Sequence, residues 1–129
     1  MTNGTPYDKP TEAKHYDLEE RCYEFARDCR ALLKVVPVTL ANTEDAKQLV
    51  RSSGSVAANY IEANESLSKK DFILRVKISK KEAKESRLWL RLLAITDPCV
   101  DAERQLLIQE TTELMSILGA ILRKSEAKG

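Results

Sequence analysis

Lys70, Lys77, Lys84 and Arg91 recur every seven residues, and Lys80 and Arg87 fall between them at helical spacing. On a helix these six cations make one stripe, two positions wide, along about 30 Å. The chemistry of such a stripe is electrostatic. Lys and Arg in a row can follow a phosphate backbone and release its counterions. No aromatic residues interleave with them, which argues against a stacking platform for single strands. A second reading stands beside the first: a solvated face, or the cationic half of ion pairs with a neighbouring subunit or another protein.

A second set of polar residues is acidic. Glu82 and Glu85 share a helical line with Ile78, Trp89 and Leu92, so both carboxylates should be half-buried and need donors. The preceding segment carries a polar line of Arg51, Ser55, Asn59 and Glu62. An arginine there can hold a carboxylate with two parallel hydrogen bonds. Together the six residues read as a polar core network that sets helix register and assembly. The alternatives are a general acid/base pair or a metal site. A di-iron bundle needs Glu-x-x-His on two helices, and the only histidine is His15. Cys22, Cys29 and Cys99 contain no CxxC pair and with His15 make a poor zinc set. Gly-rich phosphate loops, GxSxG and HExxH are absent. The expectation is a protein without catalytic residues, metal or cofactor.

These residues need helices to position them, and the apolar pattern supplies four. Leu18, Cys22, Phe25, Cys29, Leu32 and Val36 alternate four and three apart, a seam packed almost parallel to its neighbours. The first segment runs from about Asp17 to Val36, before Pro37. The second starts near an expected N-cap at Thr43 and reaches Asn64. Its middle, Ser52, Ser53, Gly54, Ser55, Ala57 and Ala58, is small enough for close helix approach. The third runs from a Ser68 cap to Ile95 along Phe72, Val76, Ser79, Ala83, Ser86, Leu90 and Leu93. The fourth covers Val100 to Lys124 along Val100, Leu107, Thr111, Leu114, Leu118 and Ile121. Short breaks between long segments predict an all-α, antiparallel up-down-up-down four-helix bundle. The division is a flexible tail at 1–16, the bundle at 17–125 and a frayed end at 126–129.

Composition agrees. The 129 residues suit one domain, and four Gly, four Pro and 5% aromatics do not suit a β-sandwich. No apolar run is long enough for a membrane span, and the first residues lack the apolar core of a signal peptide. An odd number of cysteines without paired spacing fits the reducing cytoplasm. The net charge of +1 conceals an uneven spread: residues 67–95 hold nine basic and three acidic side chains, a balance of +6.

The stretch from Gln48 to Leu93 resembles the bacterial four-helix bundle proteins, some of them encoded in intervening sequences of 23S ribosomal RNA genes. The resemblance rests on positions of their pattern, QxxRSxxSIxxNIxEG, then S(K/R)K(D/E)F, then KExxExxYWLxLL. These are Gln48, Arg51, Ser52, Ser55, Val56, Asn59 and Glu62, then Ser68, Lys70, Asp71 and Phe72, then Lys81, Glu82, Glu85, Trp89, Leu90 and Leu93. The chain departs from it at Ala57, where a proline is common, and at Ala63, where a glycine is. Ala57 should leave the second helix straighter, and Asn64 could supply the left-handed ending. The resemblance implies a homo-oligomer, a pentamer in members of the family. It also implies kinship with accessory variability proteins of diversity-generating retroelements, which bind a reverse transcriptase and nucleic acid through a basic surface. It carries no catalytic residues.

Overall fold

The computed structural model describes residues 10–128, with side chains from Leu18 onward. Four helices follow one another: α1 (Pro10–Leu33), α2 (Leu40–Asn64), α3 (Lys69–Leu92) and α4 (Pro98–Ala127). A helix of 24 residues is about 36 Å long. The connection at 65–68 spans at most about 14 Å. A connection that short cannot recross the bundle, so neighbouring helices run antiparallel. The contacts bear this out, because Asn42 meets Ala94 while Asn59 meets Arg75 at the other end of the α2–α3 pair. Among the described residues each helix packs on the two beside it and on none across. The bundle is closed by α1 against α4, where the Arg21 guanidinium donates to both Glu110 oxygens at 2.6 and 2.8 Å and reaches Glu113. Hydrogen bonds from Gln109 and Arg21 hold the Glu113 carboxyl below the usual carboxylate range.

The core is the set of seams read from the sequence. Leu18, Cys22, Phe25, Cys29 and Leu32 are buried on α1; Val76, Ser79, Ala83, Ser86 and Leu90 are buried on α3, with Leu93 just beyond it. Leu107, Thr111, Leu114 and Leu118 are buried on α4, joined by Gly119 and Leu122, while Ile121 is only partly covered. Burial pushes the Cys22 and Cys29 thiols up to about 12, so both are packing residues rather than nucleophiles.

Helix ends depart from expectation in ways local chemistry explains. α1 opens at Pro10, ahead of the expected start near Asp17. Residues 1–9 of the expected tail, and the His15 side chain, lie outside what is described. α2 begins a turn early, because the Thr39 side chain, not Thr43, accepts the Asn42 N–H at 3.0 Å. Its end needs no left-handed residue. The Glu65 and Ser66 N–H groups donate to Glu62 and Ala63 carbonyls at 3.1 Å, and among the described residues no φ is positive. Ser68 caps α3 by accepting from Asp71 N–H, as its spacing predicts. Arg104 of α4 ends α3 earlier than Ile95. Its Nη1 donates to the Leu90 and Leu93 carbonyls at 2.9 and 2.7 Å, and Asp101 steadies the guanidinium at 2.6 Å. Asp97 caps α4 with Pro98 in its first turn, so the Asp-Pro pair starts this helix as well as ending the loop. α4 then runs to Ala127, through residues expected to fray.

Candidate nucleic-acid interface

The small residues of α2 bring it against α3. Ser52 and Ser86 share a buried hydrogen bond at 2.8 Å, and the Ser79 hydroxyl donates to the Val56 carbonyl at 2.8 Å. Gly54 does not take part in this approach. A side chain there would face the Arg30 guanidinium of α1 at 3.5 Å. Beside the serine contacts lies the polar network. Glu82 is nearly closed off, with 10% of its side chain exposed, and Arg51 bridges it (3.2 Å) to Glu85 (3.0 Å). The hydrogen bond to Glu82 raises the Arg51 pKa further above its ordinary value. A guanidinium held this way remains a fixed cation and does not exchange protons. Asn59 forms a second cluster. Its amide donates to Ser55 Oγ at 2.9 Å, and its carbonyl oxygen accepts from Arg75 Nη1 at 3.1 Å. Arg75 was not anticipated, although it lies seven residues before Glu82 and so on the same line. Glu62 stands apart, exposed, with no side-chain hydrogen bond or ion pair among the described residues. Arg75 Nε and Trp89 Nε1 are buried without an acceptor in the chain.

The basic stripe lies round the other side of α3, beside α4. Lys70, Lys77, Lys84 and Arg91 are exposed, and Lys80 and Arg87 are half-buried. Lys77 pairs with Glu126 at 3.4 Å. Among the described residues the other five form no ion pair with any carboxylate. α4 adds a cation that spacing along α3 could not reveal. A side chain at Gly119 would lie 3.4 Å from Arg123 Nη1 and 3.5 Å from Lys80 Nζ, so both reach across α4 where it lacks bulk. Two cations with no carboxylate between them repel, and an anion supplied from outside would relieve that repulsion.

Among the described residues no three His, Cys, Asp or Glu side chains converge as a metal centre would need, and no helix is long and apolar enough to cross a membrane.

Residues 14–120 match the family model described as 23S rRNA-intervening sequence protein. The fold is similar to the crystal structure of a protein of unknown function from the S23 ribosomal protein family of Bacteroides thetaiotaomicron. The TM-score is 0.67 and the identity 31%, over 81% of this chain and 97% of that one. No curated protein matches the chain.

Proposed function

The chain belongs to the 23S rRNA-intervening sequence protein family, and from that premise we propose that it is a non-catalytic, oligomeric bundle that binds nucleic acid through the basic face of α3. One observation carries the reading: the cations are aligned along a single helix face, and all but Lys77 lack an anionic partner among the described residues. Lys70, Lys77, Lys80, Lys84, Arg87 and Arg91 would touch phosphates, with Arg123 extending the face onto α4. Glu82 and Glu85 are tied up by Arg51 on the opposite side of the helix. The chain would act in the cytoplasm, as a homo-oligomer. A subunit number of five and a reverse transcriptase as protein partner are what the family resemblance adds.

The test is binding to ribosomal RNA fragments at rising salt. Affinity should fall steeply, with a log–log slope of about 0.7 to 0.9 per phosphate contacted. Changing the six α3 cations to Glu should abolish binding while leaving helix content unchanged. Binding that survives those changes, or that shows no salt slope, would sink the proposal.

The Lys77–Glu126 pair favours a second reading, a scaffold whose stripe meets carboxylates on another subunit or protein. High salt would then dissolve the assembly itself, with no RNA present.

A further inference from the structure

α4 lays a second line of residues beside the basic stripe of α3. Thr112, Ser116, Gly119, Arg123 and Glu126 recur four, three, four and three apart, and Lys77, Lys80, Lys84, Arg87 and Arg91 recur three, four, three and four apart. Two contacts set the lines against each other. Lys77 meets Glu126 at 3.4 Å, and Lys80 reaches the space over Gly119. Because the helices run antiparallel, Lys84 and Arg87 then stand level with Ser116 and Thr112. The groove between the helices has cations along one wall and small or hydroxyl side chains along much of the other.

Gly119 is where this groove is barest. A glycine inside a helix costs about 1 kcal/mol relative to alanine. The nearest atoms to a Cβ there are the far ends of two flexible side chains, Arg123 Nη1 at 3.4 Å and Lys80 Nζ at 3.5 Å, so packing between the helices does not require glycine. Gly54 makes the contrast. It too lies under a guanidinium, but Arg30 donates to the Ala26 and Val50 carbonyls and to Ser53 Oγ. Lys80 and Arg123 have no such acceptor among the described residues. The nearby α4 carboxylates are engaged elsewhere, Glu113 by Arg21 and Glu126 by Lys77.

We propose that Lys80 and Arg123 form a phosphate clamp over Gly119, which holds one phosphodiester of a nucleic-acid backbone lying in the α3–α4 groove. The proposal rests on the nucleic-acid reading and deepens it, because it turns a band of charge into one fixed point. Arg123 can present two parallel N–H groups to the phosphate oxygens, and Lys80 adds a point charge from the other helix. The missing side chain at 119 lets the phosphate sit between them, close against α4. One turn along α4, the exposed Ser116 hydroxyl has no side-chain partner among the described residues and can donate to the neighbouring phosphate. Lys84, Arg87 and Arg91 carry the track on for about 16 Å beyond Lys80. Such contacts fix where the backbone lies and read no base.

The experiment is fluorescence anisotropy of a labelled duplex RNA with the full chain at fixed salt. Arg123→Gln should weaken binding about tenfold, whereas Lys124→Gln, the same loss of charge one residue along, should change it by less than about threefold. Gly119→Glu places a carboxylate between the two cations. It should weaken binding far more than Ala120→Glu, an equal change of charge at the exposed neighbouring position, with circular dichroism unchanged. Arg123→Gln, at an exposed residue, keeps the test valid if Gly119→Glu disturbs the helix packing. Equal losses within each pair overturn the clamp and leave the stripe as the binding surface, while a wild type that binds no RNA overturns both readings. A wild type that inorganic phosphate protects from unfolding at lower concentration than the RNA does would carry a free-anion site, and this proposal would fall.

Discussion

The side of α3 turned to α2 and the side that carries the basic stripe are both rich in polar and charged residues and end in different states. On the first, Glu82 and Glu85 have a guanidinium within 3.2 Å, and Ser79 and Ser86 are hydrogen-bonded in the core. On the second, five of the six cations have no carboxylate partner among the described residues. Charges answered inside the chain hold helices in register. Charges left unanswered cost folding little at the surface and are available to a partner. The first side can therefore be altered only by disturbing the bundle, and the second only by disturbing what the bundle binds.

The largest effect should come from forcing bulk into the α2-facing side. Ser86→Leu puts extra carbons where Ser52 lies at 2.8 Å, and overpacking of this kind costs about 3 kcal/mol. Urea unfolding would read it as a lower midpoint. Arg51→Ala comes next. It strips Glu82 of its donor on an almost closed carboxylate, for a loss of about 1 to 2 kcal/mol by the same measurement. On the basic side, Lys84→Ala with Arg91→Ala should leave stability within about 0.5 kcal/mol. The pair should nonetheless lower the salt slope of RNA binding by about 0.9 per phosphate lost. A comparable loss of stability there would erase the distinction between the two sides.

The smallest effect is an expected equality. The Cys22 and Cys29 thiols have an ordinary pKa of 9.0 and a folded value of about 12, raised by burial. Neutral buried thiols contribute stability that is complete below pH 9 and lost as pH rises through 9 toward 12. The Arg51 guanidinium, raised above its ordinary value by Glu82, stays charged over that window. Wild type and Arg51→Ala should therefore lose the same stability between those pH values, with a constant gap between their unfolding curves. A thiol reagent below pH 9 should modify exposed Cys99 and leave Cys22 and Cys29 intact until the chain unfolds.

Most of the fold was legible because a seam is a local pattern. Four-and-three spacing specifies a buried helix face wherever the partner lies, and the seams of α1 and α3 are buried as read except at Val36, beyond the end of α1, and Phe72, which are only partly covered. Helix ends were less legible, because several side chains compete to cap the same N–H groups. Thr39 and Thr43 both have the side chain of a cap, and it is Thr39, in extended conformation, that accepts the Asn42 N–H. The network was half legible. Glu82 and Glu85 announce that they need a donor, but spacing within α2 pointed to Glu62 as another member. That residue lies in the solvent, and Arg75 of α3 takes the place beside Asn59.

By itself the sequence determined the helix count, the buried faces, the stripe and its charge, because each is a periodicity along one strand of chain. The tertiary structure alone decided which charges are answered. It set Arg51 against Glu82 and Glu85 and Arg104 on the last carbonyls of α3, and left Arg123 unanswered beside Lys80 over Gly119. Those pairings join residues distant in sequence, and a pairing energy exists only when two charges come within a few ångströms of each other.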